Sequence, residues 1–145
     1  MTPLRLPRFL LVAAVVMNML LLAALPAPLQ AAEARDKYGY LHVKAPEAAQ
    51  IVAATPDIII LDIRTAEEFA DGHLAGAVNI DYYAKDFAAQ LAALDPAARY
   101  LLHCRSGNRS GRALPVMREL NFTEVIHLDG GILAWTSAGQ PLARN

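Results

Sequence analysis

Residues 58–61 read Ile-Ile-Ile-Leu, an unbroken apolar run rich in β-branched side chains. A run of this kind suits a strand covered on both faces, the position of a central strand in a parallel sheet. Its surroundings agree. Further short apolar runs stand at 77–80, 100–102 and 125–128, and Ala- and Leu-rich stretches of helical character lie at 46–54, 67–70, 86–94, 111–120 and 132–138. Strand alternating with helix predicts an α/β domain of three layers, a mainly parallel sheet with helices on both faces. One local signal resists. Pro115 falls inside the 111–120 stretch, where a proline costs about 3 kcal/mol, so that helix is expected either to begin close to Pro115 or to kink there. Open α/β sheets place their ligands beyond the carboxyl ends of the strands, and Cys104 lies there, directly after the run 100–102.

The front of the chain is different material. The 145 residues are 55% hydrophobic, but residues 1–31 carry Arg5 and Arg8, no acid, and an uncharged run from Phe9 to Gln30. A basic start, an apolar stretch Phe9–Leu25, then Pro26-Ala-Pro28 and small residues form the layout of a secretory signal peptide. Cleavage is expected between Ala31 and Ala34, with release into the periplasm. The competing reading is an uncleaved anchor holding the protein at the membrane and facing the periplasm, since the apolar stretch is only a little short of the roughly 20 residues that span a bilayer. No Cys follows the apolar run, which argues against a lipid-anchored lipoprotein.

Without residues 1–31, 11 Lys and Arg stand against 14 Asp and Glu, a net charge of −3. Nothing in this balance calls for a nucleic-acid partner or, once the leader is gone, a membrane surface. Residues 38–145 read as one domain, preceded by a short polar lead-in at 32–37. A domain of this size buries roughly two-thirds of its unfolded surface, so it needs neither metal nor disulfide to fold. The single cysteine could form no internal disulfide in any case. His42, His73, His103 and His127 are scattered along the chain, and with one Cys they give no ligand pair, so no metal site is expected.

The segment His103-Cys104-Arg105-Ser106-Gly107-Asn108-Arg109-Ser110-Gly111 joins a predicted strand to a predicted helix. A thiol on a tight loop that opens a helix meets converging backbone N–H groups and the positive end of the helix dipole, and both favour thiolate over thiol. Ser106, Gly107 and Ser110 are small enough to let the backbone curl around the sulfur. Arg99, Arg105, Arg109, Arg112 and Arg118 flank the cysteine with no acid between Ala97 and Arg118. An anionic substrate or intermediate is implied.

Three ordered blocks make the exported part recognisable. The first runs Asp62-Ile-Arg64-Thr-Ala-Glu-Glu68-Phe69-Ala-Asp-Gly72-His73-Leu74-Ala-Gly76-Ala77-Val-Asn79-Ile80. The second is the loop Cys104–Arg109, and the third is Leu128-Asp-Gly130-Gly131-Ile132-Leu-Ala-Trp135-Thr-Ser-Ala-Gly139-Gln-Pro141. From about Tyr38 to Pro141 the chain resembles a single-domain rhodanese, the thiosulfate sulfurtransferase family. The resemblance implies a rhodanese-like three-layer fold around a mainly parallel five-stranded sheet. It also implies that Cys104 is the nucleophile, taking sulfane sulfur from thiosulfate or a similar small anionic donor as a persulfide and passing it to cyanide or a thiol, with no cofactor beyond that covalent intermediate. Arg105, Ser106, Gly107, Asn108, Arg109 and Ser110 are then the substrate-binding loop. Arg105 and Arg109 are candidates for orienting the departing sulfonate, although Arg109 could equally point away and brace the loop. Asp62 and Arg64 are expected to hold loops near the site, and His73 to serve the fold rather than act as a base. A monomer is expected.

Two other readings compete. Related folds carry a phosphatase loop, His-Cys-x5-Arg, but here Cys104 to Arg109 is one residue shorter and Ser110 stands where the longer loop would place its arginine. The second is a persulfide carrier or sulfur-binding module that serves a partner protein with little turnover of its own.

Overall fold

The computed structural model describes residues 35–144; the leader expected at 1–31 and its cleavage between Ala31 and Ala34 lie outside them. Five strands, β1 Leu41–Val43, β2 Ile59–Asp62, β3 Val78–Asn79, β4 Arg99–His103 and β5 Glu124–Leu128, form one sheet in the order β1-β5-β4-β2-β3, and every pairing is parallel. The helices are α1 Ala45–Ala54, α2 Ala66–Ala70, α3 Phe87–Ala92, α4 Asn108–Glu119 and α5 Gly131–Ser137.

Because successive strand residues point to opposite faces, β4 feeds two cores. Tyr100, Leu102 and the following Cys104 pack with Leu61, Phe87, Leu91, Ala113, Leu114 and Met117, which buries α3 and α4 on one face. Leu101 packs with Ile60, Ile126, Ala48, Ile132 and Trp135, which buries α1 and α5 on the other. The three-layer fold is therefore as expected, and the run 58–61 supplies a central strand, displaced by one residue to Ile59–Asp62, between β4 and the edge strand β3.

Two details differ from the sequence reading. Strand β1 was not among the apolar runs, because three residues with His42 in the middle carry almost no pattern. Helix α4 begins at Asn108 rather than 111, so Pro115 sits in its interior, neither near the start nor at a helix end. Its ring leaves the Gly111 carbonyl without the N–H it would otherwise receive.

Candidate active site

Strand β4 ends at His103, and the chain turns into α4 within four residues. Gly107 makes the turn possible. It is the residue before the helix and adopts φ +90°, a backbone conformation that side chains resist. The turn wraps Cys104, which is fully buried. The Gly107 N–H donates to Cys104 Sγ at 3.2 Å and the Ser110 hydroxyl donates at 3.4 Å. Burial alone would push the thiol up, but the Ser110 hydroxyl and the amides of Ser110, Ser106 and Gly107 outweigh it and hold Cys104 below the ordinary thiol range. Donors that belong to one short loop thus favour the anionic form of the sulfur.

The loop is pinned from behind by the start of α5. The Ile132 N–H donates to the Cys104 carbonyl at 2.9 Å and the Leu133 N–H to the Arg105 carbonyl at 3.1 Å, which satisfies amides that a helix start leaves free. Contact is so close that a Cβ on Gly131 would lie 2.4 Å from the Cys104 carbonyl oxygen. Gly131 of the third block therefore serves the cysteine loop directly.

Of the five flanking arginines, three stand at the site. Arg105, Arg109 and Arg112 line a cleft of about 460 Å³ together with Ser106, Asn108, Glu68, Tyr82 and Tyr83. Arg99 pairs with Glu124 at 3.6 Å at the far end of β4, and Arg118 is in the last turn of α4, so the sequence cluster is larger than the spatial one. Arg109 is spoken for: it donates to both Glu68 carboxylate oxygens, at 2.7 and 2.8 Å, and lies 5.5 Å from the centre of the Tyr83 ring. The pair holds Glu68 down at about 2, chiefly through the Arg109 hydrogen bonds, and raises Arg109 above its ordinary value. Arg105 is exposed and makes no ion pair among the described residues.

The first block supplies the frame. Asp62 and Arg64, both buried, pair directly, with Arg64 Nη2 and Nε at 2.7 and 2.9 Å from Asp62 Oδ2. Arg64 also donates to the carbonyls of Glu68 and Gly72 at 2.8 and 2.7 Å, so one guanidinium ties the end of β2 to the middle of α2 and to the chain just beyond it. His73 Nδ1 contacts the Phe69 carbonyl at 3.0 Å and its ring stacks on Phe69, a fold-bracing position. His103 is fully buried on the opposite side of β4, and burial pushes it down; among the described residues its Nε2 has no hydrogen-bond partner, and it lies 3.6 Å from Asp62.

Behind the thiol lies a second layer that no local sequence pattern indicates. Ser110 Oγ also contacts His127 Nε2 at 2.8 Å, and His127 Nδ1 meets Asp129 Oδ1 at 2.9 Å. His42 joins the same carboxylate oxygen at 3.0 Å and reaches Asp36 through its other nitrogen at 3.1 Å. Two of the four histidines that look scattered in sequence, His42 and His127, are thus neighbours in space, paired across β1 and β5. Only the strand order could have disclosed this.

A parallel α/β sheet with a buried cysteine cradled by a tight loop beyond its central strand defines an α/β domain with a cysteine loop at the carboxyl end of its sheet. The chain belongs to the rhodanese-like domain family, whose model matches residues 44–138. It is 34% identical over 91 residues to thiosulfate sulfurtransferase 16, chloroplastic, of Arabidopsis thaliana, covering 56% of this chain and 76% of that one. It is also 32% identical over 107 residues to the Synechocystis protein slr1261, where the match takes in 69% of this chain and only 55% of the relative. The crystal structure of a rhodanese-related protein from Thermoplasma volcanium superposes with a TM-score of 0.64 at 23% identity, over 72% of this chain and 98% of that one.

Proposed function

We propose that the protein is a sulfurtransferase that uses Cys104 to move sulfane sulfur from thiosulfate, or a similar small anionic donor, to cyanide or a thiol. The observation that carries this reading is the pair of donors on Cys104 Sγ, the Gly107 N–H and the Ser110 hydroxyl. They favour a thiolate before substrate arrives and stay in place for the persulfide that follows. In the first step the thiolate attacks the outer sulfur of thiosulfate. A new S–S bond forms, the old one breaks, and sulfite leaves with the bonding pair. Cyanide or a thiolate then attacks the outer sulfur of the Cys104 persulfide and restores the thiolate. No cofactor takes part.

Exposed Arg105 is the cation assigned to the entering and departing sulfonate, because Arg109 is already neutralised by Glu68. Ser106 and Asn108 form the rim. In this reading the protein acts as a monomer in the periplasm, with residues 1–31 removed on export. The relative named for thiosulfate supports the donor class.

Intact mass of the leader-free protein after incubation with thiosulfate tests the mechanism. Wild type is expected to gain one sulfur atom and Cys104→Ser none; equal gain in both, or none in wild type, refutes it. Cyanide turnover on the same sample separates an enzyme, which cycles, from a carrier, which loads once and waits for its partner.

A further inference from the structure

Three atoms behind the cysteine loop converge on one point. His42 Nδ1, His127 Nδ1 and Asp129 Oδ1 form a triangle with sides of 2.9, 3.0 and 3.2 Å. The parallel register of β1 and β5 sets His42 beside His127, so the triangle is built on rigid backbone. We propose that these three residues bind a divalent first-row transition ion, with zinc as its probe.

Proton counting supports an ion there. His42 Nε2 faces the Asp36 carboxylate at 3.1 Å, which only accepts, so this nitrogen carries the ring's hydrogen. His127 Nε2 faces Ser110 Oγ at 2.8 Å, and when the Ser110 hydroxyl donates to Cys104 Sγ this nitrogen is the donor of that contact. In the neutral rings both Nδ1 atoms then present lone pairs to each other and to a carboxylate oxygen. In that state the three atoms repel one another, and a cation among them relieves the repulsion. A proton relieves one edge of the triangle, whereas a metal ion satisfies all three corners.

The dimensions fit. Ligands at about 2.1 Å from one ion and at right angles to each other are separated by roughly 3.0 Å, the spacing of one face of an octahedral site, and the roughly 3.4 Å of a tetrahedral site is reached by small side-chain rotations. Each ligating imidazole would also have its other N–H engaged, by Asp36 and by Ser110, the outer-shell arrangement that orients histidine ligands. Asp129 and His42 side chains are 49% and 32% exposed while His127 is 5% exposed, so the ion would have water on its outer side and protein on its inner side. An imidazole-carboxylate set suits zinc, nickel or copper rather than magnesium or calcium. Occupancy would lock His127 as an Nε2 donor to Ser110, and so keep the Ser110 hydrogen on Cys104 Sγ.

The test removes the thiol, itself a zinc ligand, from the question. Untagged, leader-free Cys104→Ser protein, stripped with chelator, is titrated with zinc by calorimetry, and with cobalt by visible absorbance. One equivalent is expected to bind, and His42→Gln or Asp129→Asn in the same background is expected to weaken binding at least tenfold. Asp129 is exposed enough that its substitution leaves the fold intact, which circular dichroism melts verify. Failure of the Cys104→Ser protein to bind one equivalent, or unchanged affinity in both variants, overturns the proposal. Either result leaves the sulfur chemistry untouched, since this protein cannot perform it.

Discussion

Arg109, on the helix that follows the nucleophile loop, grips the Glu68 carboxylate of α2 through two hydrogen bonds of 2.7 and 2.8 Å. The pair closes one side of the cleft and fixes the first turn of α4. Glu68→Gln is expected to lower stability by about 1–2 kcal/mol, the range of a bidentate charge-assisted pair with some solvent screening. The pH dependence has a definite sign. Glu68 titrates at about 2 in the fold against an ordinary 4.5, so its contribution is complete above pH 4.5 and is lost as pH falls toward 2. The melting-temperature gap between wild type and Glu68→Gln should therefore narrow across that window.

Arg105 and Arg109 should separate kinetically. Arg105→Ala is expected to raise the KM for thiosulfate roughly tenfold, equivalent to about 1.4 kcal/mol, with the melting temperature unchanged. Arg109→Ala should lower the melting temperature. Steady-state kinetics with thermal melts on the two variants distinguishes an arginine that meets substrate from one that braces the loop.

Ser110 is the side-chain donor to the sulfur. Ser110→Ala is expected to raise the Cys104 titration by about one pH unit, which corresponds to the loss of one hydrogen bond to a charged acceptor. Ultraviolet absorbance of the thiolate against pH measures the shift. Sulfur loading at neutral pH should slow correspondingly.

Gly131→Ala places a methyl group against the Cys104 and Arg105 backbone, with φ +58° adding strain. We expect a loss of about 2 kcal/mol or more from the left-handed conformation and the clash together. Activity should fall further than stability, because the displaced atoms are the loop itself. Denaturant melts and kcat/KM measured together test this.

Breaking the buried Asp62–Arg64 pair should be the most damaging change away from the sulfur. Asp62→Ala strands a buried guanidinium, for which about 3–5 kcal/mol is expected. Urea unfolding gives the number, and a loss under 1 kcal/mol would show that Arg64 is held by the Glu68 and Gly72 carbonyls alone.

Much of this was legible in local pattern. The run Ile58–Leu61 announced a doubly covered strand, and the small residues around Cys104 announced a tight loop. Arg109 shows the limit: its two possible roles were indistinguishable until Glu68, 41 residues away, was placed beside it. Helix α4 starts earlier than its apolar pattern because Gly107 turns the chain at once, and a polar first turn at Asn108–Ser110 looks like loop in sequence. Pro115 is tolerated inside it because packing of Ala113, Leu114 and Met117 into the core offsets one missing hydrogen bond.

The sequence by itself determined the layer architecture, the position of the thiol at the end of a central strand, and the small-residue loop around it, because periodicity and residue size are local properties. Tertiary structure decided which charges are free and which are paired, and it alone gathered His42, His127, Asp129 and Asp36 behind Ser110. These depend on β1, the first strand in the chain, pairing with β5, the last. That contact spans 85 residues between His42 and His127, and no local pattern records it.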